Sequence, residues 1–233
     1  METGTGTHTR NNSGLTAQLE RRLLVWIAAR LPRRIGSDHL SALAMAGMAA
    51  AGLSFAAFPL APSWAAAGVV VSLAANWFGD SLDGTVARVR RQQRPRYGYY
   101  LDHVLDIAGS TMLLAGLACS NLIHPLIAMA LLAGYLLVSA ESYLATHASG
   151  LFRMSFLRVG PTELRLLLVA GTVQAARSAW ISPGGLGPLR LFDLGGSLGV
   201  AGLAVAFVVS AARNVRDLYR AEPLPSAVDA RAA

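Results

Sequence analysis

Six stretches of this chain, at about 38–60, 63–87, 99–120, 122–146, 162–181 and 192–216, are each apolar over more or less the length of a bilayer crossing. An α-helix rises 1.5 Å per residue, so about 20 residues cover roughly 30 Å of hydrocarbon. Of the 233 residues, 54% are hydrophobic and only 14% charged, against about 25% in soluble domains. Such runs are too many and too long for one soluble core. The expected fold is an all-α integral membrane protein: six transmembrane helices preceded by an N-terminal amphipathic surface helix.

Residues 15–34 supply that first helix. Leu15, Leu19, Leu23, Trp26, Ile27 and Leu31 recur at helical spacing, with Arg21, Arg22 and Arg30 away from the stripe's centre. This pattern suits a helix lying in the membrane surface, ended by Pro32 and Arg33-Arg34. Residues 1–14 are polar, without a secretory leader's apolar stretch, and read as a disordered tail; 221–233 read as a flexible C-terminal tail. Between them, 35–220 form one six-helix membrane domain, its least distinct turn at Ser120-Asn121. Gly47/Gly52 and Gly195/Gly199 mark faces where helices approach closely.

All 20 basic residues are arginine. They flank the apolar runs: Arg33 and Arg34 before the first, Arg88 to Arg96 between the second and third, Arg153 and Arg158 between the fourth and fifth, and Arg213, Arg216 and Arg220 at the last. The opposite connections hold Arg190, with Arg177 nearby. This asymmetry puts both termini and the arginine-rich loops in the cytoplasm, as six spans allow. It speaks for topology and anionic headgroups, not nucleic acid. The single Cys119 lies in an apolar run and reads as a small buried hydrophobe.

Against this background four carboxylates stand out: Asp80 and Asp83 in GDSLDGTVAR, Asp102 and Asp106 in GYYLDHVLD. Each carboxylate in the hydrocarbon region costs roughly 2.5–3.5 kcal/mol. Divalent metal is the usual compensation, and chemistry the usual reason to carry the charge. Spacings of three and four put each pair on one face of its helix. The two helices are antiparallel with a short link, so both faces lie near the cytoplasmic side and can meet across a cleft. Oxygen-only ligands favour two Mg²⁺ or Mn²⁺ ions over zinc, and such a pair suits phosphoryl transfer. Gly84 lets a bulky ligand approach the backbone, Ala87 keeps that face open, Arg88 is placed for phosphate, and Gly98 leaves room one turn before Asp102.

The pattern Asp80-x2-Asp83-Gly84-x2-Ala87-Arg88-x9-Gly98-x3-Asp102-x3-Asp106 resembles the signature of the CDP-alcohol phosphotransferases, and all eight signature residues are present. The resemblance implies transfer of a substituted phosphoryl group, such as phosphatidyl, from a CDP-alcohol donor to an alcohol acceptor, with release of CMP. It implies Asp80, Asp83, Asp102 and Asp106 as metal ligands, with Asp106 also the general base that takes the acceptor's proton. Gly84, Ala87, Arg88 and Gly98 would line the CDP pocket, and Asn76, one turn before Asp80, would either join them or make a structural contact. The same likeness suggests a homodimer; the expected location is the cell's inner membrane, with the active site on the cytoplasmic side that the arginines mark.

Acceptor choice is expected from residues 141–165, which place Glu141, His147, Arg153, Arg158, Glu163 and Arg165 at the same end as the acids. The arginines suit an acceptor phosphate, or equally phospholipid headgroups. The expected donor is CDP-diacylglycerol and the acceptor a small polar alcohol or its phosphate. The GPTE run and the Asp102-His103 pair are also similar to the choline/ethanolamine branch, which pairs a CDP-aminoalcohol with diacylglycerol. A divalent-cation transporter is the alternative of another class. Acids at one membrane face, away from the midplane, and Arg88 beside them weigh against it.

Overall fold

The computed structural model describes residues 15–149, 161–182 and 187–222, with side chains from Arg21 onward and none described at Ser149 and Pro161. Among these residues seven helices follow in order: α1 (Leu15–Arg30), α2 (Ser37–Ala56), α3 (Pro62–Val89), α4 (Pro95–Ala118), α5 (Pro125–Ser149), α6 (Pro161–Arg177) and α7 (Leu191–Ala221). Four of them start on proline, whose fixed φ suits a helix start and whose missing N–H is not needed there. Five helices, α2 to α5 and α7, are long and apolar enough to cross a membrane. Helix α6 has 17 residues, among them Glu163, Arg165 and Arg177, and at about 25 Å falls short of that standard.

The expected turn near Ser120-Asn121 is present. Ser120 Oγ donates to the Leu117 carbonyl at 2.6 Å, and Asn121 takes a left-handed φ of 59°, which asparagine tolerates. Cys119 at the end of α4 is exposed, contrary to the buried position expected of it. The link between α6 and α7 contains an antiparallel pair, β1 (Trp180–Ile181) with β2 (Leu189–Arg190), in the register Trp180 to Arg190. The guanidinium of Arg190 lies 5.5 Å from the centre of the Trp180 ring.

Helix α2 is the hub, packing on both α3 and α4, while α3 and α4 scarcely touch each other. Close approach explains its glycines. A Cβ on Gly47 would sit 2.7 Å from the Asn76 amide of α3, and one on Gly52 would collide with the Met112 carbonyl of α4. On α7 the expected pair shifts by one. Gly196 and Gly199 face side chains of α5, whereas Gly195 has open space around it. The main core gathers Phe55, Val69, Leu73, Leu113, Leu117 and Ile123, with Phe192 edge-on to Phe55 at 6.2 Å.

A second cluster lies at the arginine-rich end, where Ala28, Leu40, Leu82 and Val86 are buried with Leu24, Ile27 and Leu31 against them. The stripe of α1 therefore divides. Ile27 and Leu31 pack on the bundle with Leu24 and Ala28, while Leu23 and Trp26 stay exposed; Arg21, Arg22 and Arg30 are also exposed. Arg90 fixes this arrangement from the C-terminal end of α3. It donates to the carbonyls of Ile35 at 2.6 Å, Leu31 at 2.9 Å and Pro32 at 3.1 Å, so the acceptors of the link between α1 and α2 are met by a cation.

Candidate active site

Because α3 and α4 both lean on α2, a gap is left between the C-terminal end of α3 and the N-terminal end of α4. The acids line that gap. Carboxylate oxygens of Asp80, Asp102 and Asp106 lie within 4.8 Å of one another. The i, i+4 spacing of Asp102 and Asp106 turns both toward α3, and Asp80 answers from the opposite wall. Three hard oxygen donors converging at this distance fit a divalent cation of the Mg²⁺ or Mn²⁺ kind.

Asp83 is held differently. Its Oδ2 accepts from Ser41 Oγ of α2 at 2.7 Å and its Oδ1 from the Gly84 amide at 2.5 Å. It lies outside the three-carboxylate group and ties α3 to α2 at the foot of the site. Nothing in the sequence singled out Ser41, which is buried at 7% exposure. Asp80 has a partner of its own, Arg165 of α6, whose Nη2 donates to Asp80 Oδ2 at 2.7 Å.

The other signature residues surround the gap. A Cβ at Gly84 would lie 3.3 Å from Arg88 Nη1, so the surface there is closed only by the far end of a flexible side chain. Arg88 is exposed and donates from Nη2 to Thr85 Oγ1 at 2.9 Å. Ala87 is half-buried, and Gly98 is exposed with no atom near its missing side chain. Asn76 makes the structural contact: it is 5% exposed and donates from Nδ2 to the Ala44 carbonyl at 2.9 Å. Its Oδ1 is buried with no hydrogen-bond partner among the described residues.

The residues expected to choose the acceptor are scattered. Glu141 accepts from Ser210 Oγ at 2.7 Å and Asn214 Nδ2 at 2.6 Å, which joins α5 to α7. His147 and Glu163 are exposed near the ends of α5 and α6, and Arg153 and Arg158 lie outside the described residues. Of this group, Arg165 alone among the described residues contacts an acid of the cluster. On the α5 side, the His103 ring stands 4.1 Å from that of Tyr99 and 5.0 Å from that of Tyr143. Its Nδ1 is 2.7 Å from the Tyr99 carbonyl oxygen. Tyr99 and His103 share a side of α4 with Asp102 and Asp106 by helical spacing, while the approach of Tyr143 from α5 is what spacing could not show.

Below the gap, Arg94 Nη2 donates to both oxygens of Asp38 at 2.6 Å, and the carboxylate raises the guanidinium above its ordinary pKa. A shallow hollow beside this pair is lined by Gly36, Ser37, His39, Gln92 and Gln93. It includes none of the acid cluster.

A family model described as CDP-alcohol phosphatidyltransferase matches residues 39–211. A search of curated proteins gives no match. Among solved structures the chain is similar to the crystal structure of Mycobacterium tuberculosis phosphatidylinositol phosphate synthase (PgsA1) with CDP-DAG bound. The TM-score is 0.58 at 21% identity, covering 85% of this chain and 94% of that one. At this identity the likeness is one of fold. The family match spans both walls of the acid-lined gap and the helices behind them, and on it the chain belongs to the CDP-alcohol phosphatidyltransferase family, a family of membrane transferases of phospholipid synthesis.

Proposed function

We propose that this protein transfers a phosphatidyl group from CDP-diacylglycerol to a small polar alcohol or its phosphate, releasing CMP, in a divalent-metal-dependent reaction. The observation that carries this reading is the convergence of Asp80, Asp102 and Asp106 from two helices. The similar solved structure, with CDP-DAG bound, supports the choice of donor.

Asp80, Asp102 and Asp106 would hold the cation, and Asp83, with lone pairs beyond those used by Ser41 and Gly84, would complete a set for two ions. Bound there, Mg²⁺ or Mn²⁺ would neutralise the donor's pyrophosphate and the charge that grows on departing CMP. Gly84, Ala87 and Gly98 leave the wall open for the cytidine diphosphate, and Arg88, exposed beside Gly84, offers a guanidinium fork to its phosphates. Asp106 is exposed on the α4 wall. From there it can accept the acceptor hydroxyl's proton as that oxygen attacks the donor's β-phosphorus.

In the membrane, α6 serves as a sixth span, and the arginine-rich end of the bundle faces the cytoplasm with both tails. Exposed Leu23 and Trp26 on α1 enter the headgroup layer. The broadly exposed α5, of whose apolar window 6% is buried, faces lipid or the partner in a homodimer. The test is CMP release by purified protein in lipid, with CDP-diacylglycerol or a CDP-aminoalcohol as donor and a panel of alcohols and their phosphates as acceptors. Release from CDP-diacylglycerol that needs both Mg²⁺ and one acceptor supports the proposal. Release from the CDP-aminoalcohol alone would reassign the donor, and cation transport without CMP release would defeat the reading.

A further inference from the structure

We infer that Arg165 is a built-in counter-ion of the acid cluster, which leaves Asp80 when a divalent cation enters. The inference rests on the metal-site reading above and adds an order of events to it: cation first, anionic substrate second.

Three observations support the exchange. The Arg165–Asp80 contact is short, 2.7 Å, and sheltered, the two side chains being 17% and 30% exposed. It is therefore a charge-assisted hydrogen bond in a setting that screens it only partly. Arg88, the arginine of the signature, bonds Thr85 and leaves this carboxylate to Arg165. Finally, Arg165 lies in the second turn of α6, which packs against α3, so its long side chain reaches Asp80 without any movement of the helix.

Asp80 has lone pairs enough for both partners, but a divalent cation on the same carboxylate takes up the charge that held the guanidinium, and the two cations repel each other at this range. Cation entry thus sets the guanidinium free at the mouth of the gap. There its planar fork suits a phosphate oxygen pair better than a single carboxylate oxygen. The same contact lowers the repulsion among Asp80, Asp102 and Asp106 and holds α6 on α3.

The experiment measures Mn²⁺ binding by electron paramagnetic resonance on the full chain in lipid nanodiscs, without nucleotide or acceptor. Arg165→Gln should bind Mn²⁺ about tenfold more tightly than the unmodified protein, the lower end of what a hydrogen bond between charged groups is worth. Arg165→Lys should lie between them, and Arg177→Gln, a bystander on the same helix, should not differ. Unchanged or weaker binding in folded Arg165→Gln, or in Arg165→Lys should the glutamine variant not fold, overturns the inference. Asp102→Asn and Asp106→Asn separate the two levels. If they lose Mn²⁺ while Arg165→Gln shows no gain, the counter-ion role alone fails. If they bind Mn²⁺ undiminished, the metal-site reading falls, and this inference with it.

Discussion

Gly79→Ala is the sharpest probe of how the bundle holds its acids. Gly79 is buried in α3 next to Asp80, and a Cβ there would lie 2.5 Å from the Leu40 carbonyl and 2.7 Å from the Ala44 amide of α2. Ordinary contact begins at 3.4 Å, so α2 and α3 must part by about 0.9 Å, the difference of 3.4 and 2.5. Both obstacles are backbone and cannot rotate away. Overpacking of this kind costs about 1–3 kcal/mol. The same separation would stretch the Ser41–Asp83 hydrogen bond from 2.7 Å to about 3.6 Å, beyond useful range, at roughly a further 1.5 kcal/mol. Alanine's better helix propensity returns at most about 1 kcal/mol. The net loss is then about 1.5–3.5 kcal/mol, readable by reversible denaturation in mixed micelles. CMP release should fall about ten- to hundredfold, since displacements near 1 Å are felt on that scale. Gly202→Ala is the control, having open space around it, and should be neutral or slightly stabilising. A Gly79→Ala protein as stable and active as the unmodified one would refute the reasoning.

The remaining predictions address single contacts. Gly84→Ala meets only the flexible end of Arg88 at 3.3 Å, so stability should hold within about 0.5 kcal/mol while the Michaelis constant for the CDP-linked donor rises. Ser41→Ala removes one of two hydrogen bonds to Asp83 and should lower stability by about 1.5 kcal/mol, measured by the same denaturation. Arg90→Ala withdraws the donors to Leu31, Pro32 and Ile35; faster hydrogen exchange and earlier proteolysis across 21–35 should follow, with the rest of the bundle protected as before. Arg94→Gln breaks a pair whose side chains are 55% and 51% exposed, and the denaturation midpoint should stay close to that of the unmodified protein, since water screens such a pair.

What the sequence made legible was whatever follows from local spacing. Asp102 and Asp106 share a face because they are one turn apart, and a short link between antiparallel helices carries that face toward α3. The five long helices are readable for the same reason, since apolar length is a local property. Facts that depend on which helix lies next to which were not accessible. The spacing of Asp80 and Asp83 put them on one face, yet Ser41, 42 positions away, draws Asp83 toward α2. Arg165 stood out only as one of several arginines near the acids' end; its contact with Asp80 spans 85 positions. Glu141 looked like a binding residue because it stands at the acids' end of its span, but two polar residues of α7 bond it there. The stripe on α1 was seen as one surface because periodicity does not say which part meets protein and which meets lipid.

The account turns on cations seated between α3 and α4. Anomalous scattering from crystals grown with Mn²⁺ and a CDP-linked lipid addresses this directly. It should show manganese bonded to oxygens of Asp80, Asp102 and Asp106, with the lipid's pyrophosphate on its open side. Manganese bound elsewhere, or carboxylates turned away from both the ion and the pyrophosphate, would contradict it.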